Sequence, residues 1–277
     1  MSELFDKSLR TLELPRVLQM LSEQAVSAEA KQRAMTVRPE TEREEVERLL
    51  DQTDAARTMI GLRGSPSFSG VKPVAESLDR ADRGGSLNTR ELLTIADLLT
   101  AARRAKEYFN ADAAEKTAID HLFLSLHGNR FLEEKIKRCI VDEDTIADAA
   151  SPELADIRRH MRATEAKVRD ILQKLISSNQ SKYLQEAIIT IRSDRYVVPV
   201  KSEHKNAIPG LVHDVSASGS TFFIEPMGVV KANNELRELL AKEKKEIERI
   251  LAELSAQCAA HKEDILEDYQ LLVWLDG

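Results

Sequence analysis

The chain has 277 residues, of which 42% are apolar and 31% charged, and its formal net charge is −7 at pH 7. This length suffices to bury one or two cores, so we expect a globular protein. The negative charge argues against a protein that coats nucleic acid with its entire surface, but it allows a local basic patch. Aromatic residues make up only 4%, and this composition favours a mainly α protein.

Cysteine content and the chain ends narrow the class of protein further. Cys139 and Cys258 lie far apart in the sequence, so a disulfide framework or a four-cysteine zinc site has no support, and a cytoplasmic location is favoured. The N-terminus never reaches the apolar run of a signal peptide or membrane span, and no membrane partner is expected. The apolar pattern continues to Gly277 without a stop signal, which suggests part of a longer protein.

Residues 1–150 are predicted to form a helical core domain of several medium helices. Two apolar stripes at helical spacing indicate its first helices, namely Leu9, Leu12, Val17, Leu18 and Leu21, then Val46, Leu49, Leu50 and Met59. A Gly, Ser and Pro cluster at 61–70 predicts a loop. Asn88, with Glu91 three residues later, predicts a capped helix start, and a further helix is expected around Phe131–Ile140.

Two long helices are predicted beyond residue 150. Ser151-Pro152 is a helix start, because proline suits the first helical position. The outgoing helix, 151–185, carries a coiled-coil seam at Leu154, Ile157, Met161, Thr164, Val168, Ile171 and Leu175. The returning helix, 228–277, carries apolar residues at Leu236, Leu240, Ile247, Ile250, Leu254, Cys258, Ile265 and Leu272. We therefore expect a long antiparallel coiled-coil lever.

The segment 186–227, between these helices, is the one region with β character. Runs of β-branched and aromatic residues at 188–192, 195–201, 210–216 and 221–225 predict four short strands. Their short connections cannot hold a parallel crossover, so the strands should be antiparallel. The fold class is thus mainly α, with a helical core bundle and a coiled-coil lever that bears a small antiparallel β clamp.

The small polar loop Ser216–Ser220, together with His213, is the first candidate for chemistry. It lacks the Gly-x-x-x-x-Gly-Lys-Ser/Thr string of a phosphate loop and the Gly-x-Ser-x-Gly turn of a serine hydrolase. Glycine and serine are typical of a hairpin turn, so no catalytic residue is predicted here. The acidic run Asp142–Asp144 and Asp148 is interpreted as a solvated helix start, and no metal site is predicted.

The charge distribution is more informative about function. Between Arg158 and Lys205 there are eleven basic and five acidic residues. A compact sheet that presents cations would suit sequence-independent contact with phosphates. We expect nucleic-acid contacts from Arg192, Arg195, Lys201, His204 and Lys205 on the sheet, and from Arg158, Arg162, Lys167 and Arg169 along the outgoing helix. Charge pairing between the two long helices is an equally weighted alternative explanation.

Several stretches of the sequence resemble one protein family. Residues 190–226, TIRSDRYVVPVKSEHKNAIPGLVHDVSASGSTFFIEP, and 233–251, NNELRELLAKEKKEIERIL, resemble the clamp region of bacterial MutS type-2 proteins. The stretches RTLELPRVLQML, LRG at 62–64 and GGSLNTRELLTIADLL resemble the start of the same family. The resemblance implies a helical core, a lever of two long helices and a β clamp, followed in the whole protein by a dimerising ATPase and a Smr nuclease domain.

The resemblance also implies functions for the whole protein. These are ATP-dependent cutting of branched DNA, which suppresses recombination, and rescue of collided ribosomes by a homodimer. Neither activity is expected of this segment, so no cofactor is predicted within it; ATP and Mg are implied for the ATPase domain.

Two further expectations concern specificity and the rival function. The Phe-x-Glu motif of mismatch-reading relatives is matched at Phe131-Leu-Glu133, in a helical stretch, where we interpret it as chance. The alternative function is a coiled-coil protein-interaction and dimerisation module without nucleic-acid contact.

Overall fold

The computed structural model describes residues 7, 9, 11–109 and 116–277, and it confirms a mainly helical chain with a small antiparallel sheet of four strands. The rest of the predicted 1–150 domain, including Arg10 of the first family stretch, lies outside the described residues. Two compact units are present. We call them the helical unit, which runs to Ala147 and also contains Leu251–Gly277, and the sheet-bearing unit, Asp148–Ile250.

Helices α1 to α7 and one short hairpin make up most of the helical unit. Their bounds are α1 Leu14–Gln24, α2 Ala28–Thr36, α3 Arg43–Arg63, α4 Ala75–Asp82, α5 Thr89–Tyr108, α6 Asp120–Leu124, α7 Arg130–Cys139, β1 Ile140–Asp142 and β2 Thr145–Ile146. The predicted cap of α5 is confirmed, because Asn88 Oδ1 accepts the Glu91 N–H at 2.9 Å and the Glu91 carboxylate accepts the Asn88 N–H at 2.9 Å. Four fully buried residues of α5 lie at the centre of this core: Leu92, Ile95, Leu98 and Leu99.

Three details of the helical unit differ from the prediction. Of the first apolar stripe only Leu18 is buried among its described members, whereas Leu12 is 75% exposed. Leu50 of the second stripe is 62% exposed. The acidic run Asp142–Asp144 forms the tight turn between β1 and β2 instead of a helix start, because the Asp142 carboxylate accepts the N–H of Asp144 at 2.9 Å and closes that turn.

The sheet-bearing unit contains helix α8, Pro152–Ile176, and, antiparallel to it, the part of α9 up to Ile250; α9 starts at Val230 and ends at Ala260. Ser151 caps α8 as predicted, accepting the Leu154 N–H at 3.0 Å, and its hydroxyl donates to Glu246 of α9 at 2.7 Å. Farther along α8, Val168 shares a buried cluster with Leu236 of α9. The predicted seam on α8 is buried at four of its seven positions, Leu154, Ile157, Thr164 and Val168, whereas Leu172 replaces Ile171 as the fully buried residue beyond them.

Strands β3 Thr190–Arg192, β4 Arg195–Lys201, β5 Gly210–Val215 and β6 Thr221–Pro226 form an antiparallel sheet in the order β3-β4-β6-β5. The β3–β4 turn places Ser193 and Asp194 at φ of 51° and 60°, as a two-residue hairpin turn requires. The predicted hairpin turn between β5 and β6 is confirmed, with Gly219 at φ 71°. Val198, Val200 and Ile224 pack with α8 and α9 in one core.

The chain crosses from β4 to β5 through residues 202–209 and enters the sheet at Gly210. A Cβ at Gly210 would lie 2.2 Å from the Glu225 carbonyl oxygen, so only glycine fits there.

The returning helix predicted over 228–277 is in fact two helices, α9 and α10 Lys262–Asp276. At His261 the backbone N–H bonds to Cys258 O at 3.1 Å, a bond that tightens the last turn. Lys262 then forms salt bridges with Asp79 and Asp82 of α4 at 2.8 and 3.0 Å. These contacts hold the start of α10, and no glycine or proline lies at the break. Among the seam residues predicted for this segment, Leu240 is 42% exposed.

Candidate nucleic-acid interface

A buried hydrogen-bonded network ties the sheet to the first turn of α9. Glu225 of β6 has a fully buried side chain, and its carboxylate accepts from Arg195 of β4 at 2.9 Å, from Asn233 of α9 at 3.0 Å, and from His213 of β5. Asn233 also donates to Tyr196 O at 3.0 Å and accepts from Tyr196 N at 3.3 Å. Three strands and one helix are thus joined at a single carboxylate.

Arg195 therefore belongs to this network and not to the exposed cations that we expected to contact phosphate. Its side chain is 13% exposed, and its second guanidinium nitrogen donates to Asn234 Oδ1 at 2.7 Å. Its role is to compensate the buried Glu225 charge, since a buried carboxylate without partners costs several kcal/mol. The structure gives no reason to retain it as a nucleic-acid contact.

The same network makes the stability of the sheet depend on acid pH. Burial raises the pKa of Glu225, but hydrogen bonds from His213, Asn233 and Arg195 outweigh that effect and hold the pKa below the ordinary value of 4.5. A depressed folded pKa adds stability at pH values above the unfolded pKa, and this stability is lost as the pH falls through the folded pKa. We expect backbone amides of β4 and β6 to lose hydrogen-exchange protection below about pH 4.5, after correction for intrinsic exchange rates. The Glu225→Gln protein should not show this loss of protection at acid pH. If protection depends on pH identically in the Glu225→Gln and wild-type proteins, the Glu225 carboxylate is not its source.

A second group of side chains forms a surface that we call the cationic patch: Lys182, Lys201, His204 and Lys205. Lys201 Nζ donates to Lys182 O at 3.2 Å, and the rings of Tyr183 and His204 lie 5.1 Å apart. Lys205 lies with its Nζ 5.1 Å from the Phe222 ring. Within the described residues, none of the three lysines pairs with a carboxylate, whereas His204 lies 3.5 Å from Glu203.

Arg192 lies on another part of the sheet. Its guanidinium carbon is 4.2 Å from the centroid of the Phe223 ring, and its Nε is 3.3 Å from the Asp214 carboxylate. The side chain is 37% exposed. Arg192 therefore keeps an accessible charge, but it has a local counter-charge that the lysines of the patch lack.

The four cations predicted along α8 divide into two groups. Arg158 donates to Asp148 and to Glu243 of α9, both at 2.7 Å, so charge pairing between the helices explains this residue. Arg162 lies 3.2 Å from Asp148 but is 62% exposed. Lys167 and Arg169 are exposed and form no salt bridge within the described part of the chain, although Arg169 lies 5.5 Å from the Tyr196 ring. On this helix, Lys167 and Arg169 therefore remain as candidates for contact with phosphate.

Sequence reasoning missed Lys182 and Tyr183 as site residues. Both lie in a 3-10 helix, Asn179–Tyr183, that follows α8. The two residues lie beside β4 because the chain that follows them pairs with this strand. Leu184 forms an isolated bridge with Val200, and the Gln185 N–H bonds to Pro199 O at 2.9 Å. The basic and aromatic composition of the pair, Lys-Tyr, was the only available signal.

The serine turn shows no arrangement for catalysis. Ser218 Oγ lies 2.7 Å from Ser220 Oγ and 3.3 Å from Ser216 Oγ, so the hydroxyls bond to one another. His213, the local candidate base, has its Nε2 on Glu225. A nucleophilic serine needs a hydrogen bond to its base. These residues instead shape the hairpin.

The described residues show neither a metal site nor a membrane-spanning helix. No group of three or more His, Cys, Asp or Glu side chains there could hold a metal ion. No helix in that part of the chain is long and apolar enough to cross a membrane. The two cysteines are buried, and burial raises the pKa of both thiols, that of Cys258 to about 12.

The fold and the patch define a helical protein that presents a cationic antiparallel sheet on a pair of antiparallel helices. No protein-family model matches the chain. Endonuclease MutS2 of Ruminiclostridium cellulolyticum is 43% identical over 98% of this chain and 35% of that protein. The corresponding values are 42%, 98% and 35% for endonuclease MutS2 of Acetivibrio thermocellus, and 40%, 98% and 35% for that of Clostridium beijerinckii. Nearly the whole chain is thus similar to endonuclease MutS2 proteins, and it spans 35% of the length of these curated relatives.

Proposed function

We propose that this chain is the nucleic-acid-clamping region of a MutS2 protein and that its contacts are made to backbone phosphates. The observation that carries the proposal is the cationic patch, where Lys182, Lys201 and Lys205 come together from separate segments without a carboxylate partner among the described residues. Lysine without a fixed counter-charge binds phosphate oxygens without reading base sequence. Arg192, Lys167 and Arg169 extend the same function, and His204 adds a hydrogen-bond donor.

In this proposal the region binds nucleic acid, and other parts of the whole protein catalyse its reactions. In our proposal the whole protein is an ATP-dependent endonuclease, in keeping with the name of its relatives, and it acts in the cytoplasm as a homodimer. Its partners are branched DNA, whose cleavage suppresses recombination, and collided ribosomes, which it rescues. ATP and Mg belong to its ATPase domain. The segment described here is non-catalytic in this scheme.

The salt dependence of binding tests the phosphate contacts. We expect the triple variant Lys182→Gln, Lys201→Gln, Lys205→Gln to bind duplex and four-way-junction DNA and ribosomal RNA more weakly. Because each phosphate contact adds about 0.9 to the slope of log K against log salt, the slope for duplex DNA should fall by up to about 2.7. Fluorescence anisotropy between about 50 and 200 mM salt measures both quantities.

A matched control removes the same charge elsewhere in the sheet-bearing unit. Lys242, Lys244 and Lys245 are exposed on the acid-rich part of α9, and their change to glutamine should leave the slope unchanged. Equal slopes in the patch variant and the wild-type chain would overturn the proposal. Absence of any salt-dependent binding by the wild-type chain would favour the rival, a protein-interaction module.

A further inference from the structure

Two aromatic rings lie at the cationic patch. One belongs to His204, a member of the patch, and the other to Tyr183, which neighbours it. The rings of Tyr183 and His204 lie with centroids 5.1 Å apart and planes inclined by 55°. Lys182 Nζ is 5.0 Å from the centroid of the Tyr183 ring. Sequence composition, with 4% aromatic residues, gave no reason to expect rings among these cations.

The backbone on both sides fixes the two rings in place. Tyr183 ends a 3-10 helix, and the following residue, Leu184, is 3% exposed and bridges Val200 of β4. Tyr183 itself is half-buried against the core of the sheet. His204 ends the 3-10 helix Ser202–His204, which directly follows β4. Rings held by regular structure lose little conformational entropy on binding.

Both rings are also partly open to solvent. The His204 side chain is 39% exposed, and the neighbouring carboxylate, Glu203, is 74% exposed and can turn into solvent. Tyr183 is partly exposed. The arrangement therefore combines accessible ring surface with cations a few ångströms away.

We propose that the rings of Tyr183 and His204 stack on unpaired bases, each ring on its own base, so that this site prefers nucleic acid with unpaired nucleotides over a continuous duplex. Proteins that hold single strands combine cations along the backbone with aromatic rings on which bases stack. A paired base inside a duplex is already stacked on its neighbours and offers no free face to a side chain. The unpaired base can belong to DNA or RNA, because each base has the same kind of aromatic face. This inference rests on the proposed nucleic-acid function and specifies its ligand.

Paired and unpaired probes of matched length test the preference with the 277-residue chain. The probes are a continuous duplex and the same duplex with a central single-stranded gap, each in a DNA and an RNA form. Base–aromatic stacking is worth about 1–3 kcal/mol per base, so we expect the gapped probe to bind at least about fivefold more tightly. A 2-aminopurine in the gap should lose fluorescence on binding if it stacks on a ring.

Substitutions separate the rings from the cations. Tyr183→Leu and His204→Ala should each reduce the ratio of gapped-probe to duplex affinity and restore the 2-aminopurine signal. Tyr183→Phe keeps the ring and should retain both the preference for the gap and the quenching of 2-aminopurine. It serves as the control for a substitution at this position that does not remove the ring.

The outcomes distinguish this inference from the function on which it rests. Equal binding of gapped and continuous probes, with the lysine dependence intact, would overturn the stacking role alone. Unchanged quenching in Tyr183→Leu and His204→Ala would do the same. Binding of either probe that does not respond to the lysine substitutions would instead overturn the phosphate contacts. A preference confined to RNA or to DNA identifies which backbone supplies the base.

Discussion

Replacing Glu225 with alanine is expected to destabilise the four-stranded sheet by about 3–5 kcal/mol, because it leaves buried partners without their acceptor. Arg195 would keep a charge in a site where its side chain is 13% exposed. Asn233 and His213 would each lose a hydrogen bond as well. Since Asn233 also holds the Tyr196 backbone, the attachment of β4 to α9 should loosen with it.

Hydrogen exchange measured by mass spectrometry gives the local readout that this prediction needs. Protection of strands β3 to β6 should fall by a factor of about 100 or more, since every 1.4 kcal/mol is about tenfold. Peptides from α5 should keep their protection. Glu203→Ala is the matched control, because that carboxylate is 74% exposed. Equal exchange in the Glu225 and Glu203 variants would show that the network contributes little.

The second large effect is expected at Glu133, whose replacement with alanine should cost the helical unit about 2–3 kcal/mol. Its side chain is 5% exposed and accepts from Arg103 at 2.9 and 3.1 Å and from Thr100 at 2.8 Å. Burial alone would raise the pKa of Glu133, but bonds from Arg103 and Thr100 lower it to about 2. These contacts join α7 to α5 and also account for the glutamate of the Phe131-Leu-Glu133 sequence, which is engaged in the core.

Urea unfolding followed by Trp274 fluorescence reports on this unit, because Trp274 is the only tryptophan of the chain and lies on α10. The neighbouring glutamate provides the control. Glu134 pairs with Arg130 on the surface, with side chains 63% and 75% exposed, and Glu134→Ala should cost at most about 0.5 kcal/mol. Similar losses in the two variants would contradict the role of the Glu133 contacts.

Features fixed by local sequence were predictable. The four strands follow from short β-branched runs, and the structure places their bounds within about two residues of those expected. The starts of α5 and α8 follow from side-chain caps at Asn88 and Ser151, which act within one helical turn. Such features depend on residues close together in the chain, so a single sequence contains them.

Features fixed by distant contacts were not predictable. Arg195 looks like any exposed cation until β6 brings Glu225, thirty residues later, beside it. The sequence places Lys182 at the end of a helix, and only the bridge between Leu184 and Val200 shows that it lies beside β4. The salt bridges of Lys262 at the start of α10 are made with two aspartates of α4 that lie about 180 residues earlier in the chain. In each case the deciding partner lies far away in the sequence, and charge patterns alone do not identify it.

The crossover at residues 202–209 has a consequence for how this surface can change during evolution. The tight turns of the β3–β4 and β5–β6 hairpins fix the register of those strand pairs, whereas the crossover joins β4 to β5, which are not neighbours in the sheet. The ends of the crossover extend the pairing, since Ser202 N–H bonds to Ser220 O and Met227 N–H to Pro209 O, both at 3.0 Å, but the side chains of His204 and Lys205 take no part in it. His204 and Lys205 can therefore be exchanged without disturbing the strand pairing, so selection can adjust the charge and ring content of the binding surface independently of the fold.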